Sequence, residues 1–341
     1  MDPQQEQPLI GETPVFLEIL ERVSRVAQLN RPVLVIGERG TGKELIAARI
    51  HYLSPRWDRP FVKLNCAALA ESLLETELFG HEAGSFTGAT RRRLGRFELA
   101  NEGSLFLDEL ANTSERVQEK VLRVIEYGEF ERVGGNDTIR TDVRIIGATN
   151  EDLPALAEQG KFRADLLDRL AFDVITLPPL RQREGDILPL AQHFAVKMSG
   201  ELGLELFAGF SEPARDLLLD YSWPGNVREL KNVVERAVYT SLGNDEPISE
   251  INFDPFESPW RPGGKKVVAD DGTLRETTSP DEAYDFKEHI QNTEIDLLQD
   301  ALRRNRFNQK KTAEFLGMTY HQLRGYLRKY ELTDSEEEQG S

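Results

Sequence analysis

A glycine-rich segment near the start of the chain has the composition of a phosphate-binding loop. It reads Gly37-Glu38-Arg39-Gly40-Thr41-Gly42-Lys43-Glu44, and it follows the apolar run 32–36 and opens a helical pattern. Glycines let backbone N–H groups turn toward a phosphate, the helix start adds positive potential, and a lysine reaches the outer phosphates. Glu44 stands where such loops usually have a Ser or Thr that binds Mg²⁺. The alternative is a plain glycine turn, but the placement after a strand favours a nucleotide site.

Two adjacent acids, Asp108 and Glu109, follow a second apolar run at 105–107. The carboxyl ends of parallel strands meet at one edge of a sheet, so these acids are expected beside the phosphate loop. We expect Asp108 to hold Mg²⁺, directly or through water, and Glu109 to orient and deprotonate the water that attacks ATP. Paired acids are also common as solvated caps, but the phosphate loop favours the catalytic interpretation.

Three more polar side chains are candidates for the same reaction. Asn150 ends another predicted strand, where it can reach the γ-phosphate or the attacking water; the alternative is a turn-forming residue. Arg163 and Arg169 lie on a predicted helix and can pair with nearby surface acids. In a ring-shaped ATPase they would instead reach the neighbouring subunit's nucleotide, where such an arginine raises the rate by about 10³–10⁵-fold.

The elements that must position these groups are short apolar runs alternating with helical patterns, which predicts an α/β fold with a parallel sheet covered by helices on both faces. The runs are 32–36, 61–64, 104–107, 143–147 and 172–175. From about residue 187 the pattern becomes all-helical, which indicates a small helical lid. The predicted domains are an α/β nucleotide-binding subdomain (1–175), the lid (176–250), a flexible linker (251–286), a helical domain (287–332) and an acidic tail (333–341).

Charge and composition narrow the function classes. The chain of 341 residues has 59 acidic and 42 basic side chains, a net charge of -17, which argues against a protein that coats nucleic acid. No apolar run approaches the roughly 18 residues of a membrane span, and the N-terminus lacks a secretory signal. One cysteine, Cys66, excludes an internal disulfide and fits a reducing cytoplasm. The expected location is therefore cytoplasmic.

The C-terminal segment is locally basic and predicts a helix-turn-helix. Segments 308–316 and 319–330 flank Gly317, with an apolar seam at Ala313, Leu316, Leu323 and Leu327. Thr319 is expected to cap the second helix. The residues predicted to contact the major groove or its phosphates are Thr319, Tyr320, His321, Gln322, Arg324 and Arg328. The alternative is an amphipathic helical hairpin with a solvated basic face.

Two consecutive motifs carry a resemblance to a known family. They are Glu77-Leu78-Phe79-Gly80-His81-Glu82 and Gly84-Ser85-Phe86-Thr87-Gly88-Ala89. The second resembles the GAFTGA loop of bacterial enhancer-binding proteins, the AAA+ activators of sigma-54 RNA polymerase, with Ser85 in place of the usual Ala. That family also has Glu at the Glu44 position. The resemblance spans about 9–242, and separately the tail from 292.

The resemblance implies roles for individual residues. It implies that loop 84–89 contacts sigma-54, that Asn65 restrains the catalytic glutamate, and that Arg228 senses nucleotide from the lid. Arg163 and Arg169 correspond to the family's arginine fingers, which implies a homo-oligomer that is a hexameric ring when active. The C-terminal segment resembles a Fis-like domain that binds enhancer DNA.

The layout also has implications for control. The nucleotide-binding pattern begins close to the first residue, so regulation is expected from expression or from a partner in trans. Within the family this layout resembles the phage-shock activators, which a separate inhibitor, PspA, holds inactive. Trp57, on a polar segment, is the predicted anchor for such an inhibitor; the alternative is a tryptophan packed on the adjacent helix.

Two other function classes remain open from the sequence. One is an AAA+ motor of another class, such as a helicase loader or an unfoldase, which would lack the 84–89 loop. The other is a DNA-binding regulator that does no remodelling, against which the intact Lys43, Asp108 and Glu109 argue.

Overall fold

The computed structural model describes residues 9–86, 89–204, 206–242, 246–256, 291, 294–295, 297–299, 301–302 and 309–330, and at 314 and 321 it describes the backbone alone. The predicted tail, most of the predicted linker, and Thr87 and Gly88 therefore lie outside the described residues. The chain divides into two compact units, Met1–Glu257 and Ser258–Ser341.

A parallel sheet of five strands forms the centre of the first unit, and it confirms the predicted α/β class. Its strands, in sheet order, are β2 (Phe61–Asn65), β3 (Ser104–Asp108), β6 (Arg144–Thr149), β1 (Val33–Ile36) and β7 (Val174–Thr176). A separate antiparallel pair, β4 (Glu129–Glu131) with β5 (Thr138–Arg140), was not predicted. Asn65 lies opposite Asp108, and Ile36 lies opposite Thr149, so the polar strand ends meet at one edge.

Helices cover both faces of the sheet. In chain order they are α1 (Pro14–Ala27), α2 (Lys43–Tyr52), α3 (Glu71–Phe79), α4 (Arg96–Leu99), α5 (Glu115–Tyr127), α6 (Leu153–Glu158) and α7 (Ala164–Leu170). Alternate residues of β3 serve the two cores: Leu105 and Leu107 pack in one, and Phe106 in the other. This alternation is the reason that residues 105–107 of β3 are apolar without interruption.

The lid of the first unit is helical, as predicted. It contains α8 (Ile187–Glu201), α9 (Glu212–Asp220) and α10 (Asn226–Thr240). These helices close around Trp223, which is fully buried and donates through its indole nitrogen to the Leu218 carbonyl (2.9 Å). The lid core is separate from the two cores of the sheet.

The second unit holds the predicted helix-turn-helix. Its two complete described helices are α11 (Gln309–Phe315) and α12 (Tyr320–Lys329). Gly317 between them has the left-handed φ of +64° that a tight turn needs. Ala313, Leu323 and Leu327 pack with Leu298 and Leu302, so the predicted seam is buried. Within the described residues, no helix combines the length and apolar character that crossing a bilayer requires.

Candidate functional site

The phosphate loop runs from the end of β1 to the start of α2. Gly40 and Gly42 have left-handed φ values of +79° and +100°, which glycine adopts without strain. Lys43 begins α2, and its Nζ donates to the carbonyl oxygens of Gly37 (2.8 Å) and Glu38 (3.3 Å). The ammonium is thereby held at the mouth of the loop, where a lysine must lie to reach a bound phosphate.

The two predicted acids lie where the sheet register places them. Asp108 is the last residue of β3, and its Oδ2 accepts from Asn65 Nδ2 (3.3 Å) across the β2–β3 pair. Its Oδ1 accepts from the backbone N–H of Glu109 (3.0 Å). Burial lowers the pKa of Lys43, and the charges of Glu109 and Asp108 oppose that shift. The three groups therefore act on one another electrostatically.

Glu109 has an uncommon backbone conformation and an amide partner. Its φ and ψ are +53° and +44°, in the left-handed region that costs a non-glycine residue about 1–2 kcal/mol. With the amide of Asn150 oriented so that its nitrogen faces the acid, Nδ2 lies 3.1 and 2.6 Å from the two Glu109 oxygens. Asn150 thus contacts Glu109, whereas Asn65, the residue that the resemblance gives as its restraint, contacts Asp108.

These groups line one cleft of about 570 Å³ between the sheet and the lid. Of the predicted residues, those that line it are Arg39, Gly40, Gly42, Lys43, Glu44, Asn65, Asp108, Glu109 and Arg228. Gly37 directly follows β1 at the base of the loop, and the Glu38 side chain points away toward the lid. Lys231 of the lid also lines this cleft, and no motif in the sequence marked it.

A smaller apolar compartment of about 60 Å³ adjoins the cleft and was not predicted. Phe194 and Val227 of the lid line both spaces, together with Leu45 of α2. The N-terminal segment contributes Leu9 and Ile10 to it. Predicted Thr41 lines this compartment instead of the main cleft.

Glu44, the unusual residue of the loop, pairs with a lysine. Its carboxylate lies 3.0 Å from Lys63 Nζ, on the surface of β2. Mg²⁺ is usually held by one or two carboxylates together with substrate phosphates and waters. Asp108, which lies beside Glu109 at the mouth of the loop, supplies a carboxylate of this kind. The described residues contain no group of three or more His, Cys, Asp or Glu side chains arranged to hold a metal alone.

The two predicted arginine fingers lie away from the cleft of their own chain. Arg163 is the N-cap of α7, and not within the helix as predicted; its guanidinium donates to Asp165 (3.1 and 2.7 Å). Arg169, in the last turn of α7, donates to Glu126 (2.8 Å). Both pairs are solvent-exposed, so they contribute little to stability and can be exchanged for other anionic partners.

The base of the predicted sigma-54 loop is ordered by its own backbone. Gly84 N–H donates to the Ala89 carbonyl (2.7 Å), and Ala89 N–H donates to the Phe86 carbonyl (3.0 Å). Phe86 is 46% exposed and meets the His81 ring edge-on at 5.0 Å. Phe86 is therefore not part of the buried core. Ser85 is partly buried, and its hydroxyl has no partner among the described groups.

A buried arginine that the sequence did not single out lies beneath this loop. Arg132 donates to Glu98 through Nε (2.9 Å) and through a second, short contact, and to Glu82 (2.8 Å). These bonds, with Glu98 first, raise the pKa of Arg132. Gly134, two residues after Arg132, packs against Ser85, so a Cβ there would lie 2.4 Å from the serine Cβ. The backbone around Gly134 is thus in contact with Ser85 of the loop.

Trp57 lies on the surface of the first unit. It is 63% exposed, on a turn where its N–H donates to the Ser54 carbonyl (3.1 Å). The neighbouring Arg56 anchors that turn through two bonds to the Asp142 carboxylate (2.8 Å each) and one to the Gly103 carbonyl (3.1 Å). An exposed tryptophan on an anchored turn is available to a partner, whereas the alternative, a tryptophan packed on the adjacent helix, does not hold.

In the second unit, Thr319 caps α12 as predicted. It forms a capping box with Gln322, whose backbone N–H donates to Thr319 Oγ1 (3.3 Å). The side chain of Gln322 is therefore partly engaged by the cap. Arg324 and Arg328 are exposed on α12, Tyr320 is half-buried, and the side chain of predicted His321 lies outside the described residues.

Comparison with known proteins defines the class of this molecule. A family model of the Sigma-54 interaction domain matches residues 9–176, an AAA+ ATPase lid domain matches 181–256, and the Fis family of bacterial regulatory proteins matches 290–330. NtrX from Brucella abortus, solved in complex with ADP, is similar with a TM-score of 0.68 and 32% identity over 96% of this chain and 70% of that one. A complex of the same protein with ATP also has a TM-score of 0.68. The first unit is an ATP-binding AAA+ ATPase.

The chain belongs to the sigma-54-dependent transcription activators that carry a Fis-type DNA-binding domain. It is 57% identical over 325 residues to the Psp operon transcriptional activator of Escherichia coli strain K12, covering 95% of this chain and 98% of that one. The Nif-specific regulatory protein of Azotobacter vinelandii is 46% identical over 318 residues, which are 93% of this chain but 58% of the relative. Sigma-54 RNA polymerase and DNA are therefore its partners.

Proposed function

We propose that this activator uses ATP hydrolysis to remodel closed complexes of sigma-54 RNA polymerase at promoters of phage-shock genes. The observation that carries the proposal is the convergence of Lys43, Asp108, Glu109 and Arg228 on one cleft, in a unit that also presents the half-exposed Phe86. A change at the hydrolytic cleft can be transmitted to a surface loop of the same unit, because a closely packed domain passes displacements from one element to the next.

Glu109 is the proposed general base. Its carboxylate takes a proton from water as the water oxygen bonds to the γ-phosphorus and the bond to the bridging oxygen of ADP breaks. Lys43 neutralises charge on the outer phosphates, and Asn150 holds Glu109 in orientation. Positioned base catalysis contributes about 10²–10⁴-fold, so Glu109→Gln should lower kcat by that factor while ATP still binds.

Asp108 is the residue proposed to hold Mg²⁺. When bound, the ion neutralises charge on the phosphates of ATP. Asn65 donates to the Asp108 oxygen and so fixes the rotamer of that side chain. Glu44, paired with Lys63, is less suited to the metal because its charge is already balanced.

A ring of identical subunits, most simply a hexamer, completes the proposed site. Arg163 and Arg169 hold exposed acids within their own subunit, and they would exchange those acids for the phosphates of a neighbour. The rate of ATP turnover per subunit should then rise with protein concentration. Arg163→Ala should lower kcat by about 10³-fold or more without weakening ATP binding to the same subunit.

Loop 84–89 is the proposed contact with sigma-54. Phe86 supplies an apolar surface, and Thr87 supplies a hydroxyl. Thr87→Ala should keep ATPase activity and lose open-complex formation. If that variant opens promoters normally, the loop assignment is wrong.

The second unit is proposed to bind enhancer DNA through Arg324 and Arg328, with Tyr320 beside them. Phosphate contacts release counterions, so binding should weaken steeply with salt.

Trp57 is proposed as the anchor for a trans-acting inhibitor of the PspA type, in the cytoplasm. Trp57→Ala should escape repression and keep ATPase activity.

One experiment separates remodelling from simple DNA binding: ATP-dependent transcription from a sigma-54 promoter with the full chain, Glu109→Gln and Thr87→Ala. The wild type should open the promoter only with hydrolysable ATP. Glu109→Gln should bind DNA with unchanged affinity and open nothing. Equal transcription by the wild type and Glu109→Gln would show that the chain acts without remodelling.

A further inference from the structure

The side chain of Glu38 leaves the phosphate loop and bonds to the lid. Its carboxylate accepts from both terminal nitrogens of Arg181 (2.9 and 2.6 Å) and from Asn226 Nδ2 (3.0 Å). Arg181 lies in the 3₁₀ turn Leu180–Gln182 at the start of the lid. These bonds, with Arg181 first, lower the pKa of Glu38 to about 2, so it is ionised at neutral pH.

Asn226 joins three segments through one buried amide. Its Nδ2 also donates to the carbonyl of Arg39 (3.1 Å), and its Oδ1 accepts from the backbone N–H of Leu180 (2.8 Å). The residue is fully buried with a φ of +53°, a conformation that asparagine tolerates better than most side chains. It begins α10, so the loop, the start of the lid and α10 share a single polar centre.

The loop and lid backbones also touch directly. A Cβ added to Gly40 would lie 2.3 Å from the carbonyl oxygen of Gly225, the residue before α10. No side chain therefore separates the loop from the start of that helix. A shift of the loop must move the first turn of α10, because packed backbones cannot interpenetrate.

Arg228, which faces the nucleotide cleft, lies in this first turn. We infer that Glu38 is a positioning residue: its carboxylate, held by Arg181 and Asn226, fixes the lid so that Arg228 faces the phosphates held by Lys43. The inference rests on the proposed hydrolytic cleft and gives Glu38 a role distinct from nucleotide contact. A carboxylate aimed at a phosphate would repel it, and pairing with Arg181 turns that charge away.

The inference has a consequence for nucleotide discrimination. The γ-phosphate is the part of ATP that ADP lacks, and a correctly placed Arg228 would favour the nucleotide that has it. Loosening the lid should therefore raise KM for ATP and reduce the ratio of ATP to ADP affinity. It should change kcat little, because Glu109 and Asn150 directly follow the sheet strands β3 and β6 and are not part of the lid.

The test uses the full chain with Glu38→Gln, which keeps the shape of the side chain and removes its charge, and Arg181→Ala, at an exposed partner. A hydrogen bond to a charged group contributes about tenfold or more, and solvent exposure of this pair reduces that to about three- to tenfold. KM and the ATP-to-ADP affinity ratio should change by that factor in both variants. Glu212→Gln, which removes the charge from an exposed lid glutamate paired with Arg215, is the matched control and should change neither.

Combination with Arg228→Ala decides the route of the effect. If Glu38 acts through Arg228, then adding Glu38→Gln to Arg228→Ala should change KM and the ATP-to-ADP affinity ratio by less than about twofold. Full additivity would mean that Glu38 acts on the nucleotide itself and would overturn the inference. The inference would also be overturned if Glu38→Gln had the same KM and the same ATP-to-ADP affinity ratio as a wild type that hydrolyses ATP. That outcome would leave the proposed function intact.

Amide hydrogen exchange of residues 229–232, measured without nucleotide, tests the same point independently of catalysis. Glu38→Gln should accelerate exchange there by about three- to tenfold, and Glu212→Gln should not. Unchanged exchange in Glu38→Gln would refute the positioning role of Glu38, even if no ATP turnover is found. Absence of ATP turnover in the wild type would refute only the proposed hydrolysis.

Discussion

Replacing Gly40 by alanine tests the contact between the phosphate loop and the lid most directly. The new Cβ meets two obstacles: the φ of +79°, and the Gly225 carbonyl oxygen at 2.3 Å. Ordinary van der Waals contact begins at 3.4 Å, so the lid backbone must retreat by about an ångström. Left-handed backbone costs alanine about 1–2 kcal/mol, and overpacking adds about 1–3 kcal/mol.

Comparison with Gly160→Ala separates the cost of overpacking from the cost of the left-handed backbone. Gly160 has a similar φ of +70°, and nothing lies within 4 Å of its added Cβ. Both variants therefore share the conformational cost, and the difference between their free energies of unfolding is the clash, expected at about 1–3 kcal/mol. Chemical denaturation of the first unit measures this difference, and an ATP analogue titration should show weaker binding only in Gly40→Ala. Equal stabilities for the two variants would refute the claim that loop and lid backbones are in contact.

Three further predictions follow from described groups. Because burial lowers the pKa of Lys43 below the usual 10.5, its charge and the ATP affinity it supplies should be lost at a lower pH than for an ordinary lysine as the pH is raised from neutral. Lys43→Arg should show no such loss, and the same dependence of ATP affinity on pH in both proteins would contradict the assignment. Burial raises the pKa of Cys66 to about 12, so about 10⁻⁴ of it is thiolate at pH 8, and thiol reagents should react only after unfolding; rapid labelling of the native chain would contradict this. Ser85→Ala removes a hydroxyl that lacks a partner and should leave stability unchanged or raise it by up to about 1–3 kcal/mol, as thermal unfolding would show; a clear loss would mean that the hydroxyl is bonded.

The sheet and the catalytic acids could be predicted because they are local in sequence. Apolar runs bounded by polar residues gave the strands, and the same boundaries placed Asp108 and Asn150 at one edge. The end strand began two residues later than expected: the run 172–175 became Val174–Thr176, because Phe172 is exposed and pairs with Arg31 at the surface. The ends of an edge strand are set by tertiary contacts more than by composition.

The polar centres could not be predicted because their partners are distant in sequence. Glu38 and Arg181 are 143 residues apart, and Arg132 meets Glu98 and Glu82 from 34 and 50 residues away. None of these three pairs has a spacing or a period that marks it. The left-handed conformations of Asn226 and Glu109 likewise depend on surroundings that no local window contains.

The strained backbone of Glu109 has a consequence for laboratory evolution. Glycine would adopt that left-handed conformation without the cost that glutamate bears there, so Glu109→Gly should fold at least as stably while lacking the proposed base. A screen that rewards heat resistance alone would therefore enrich inactive clones at this codon. Only a selection that also demands transcription would retain the acid.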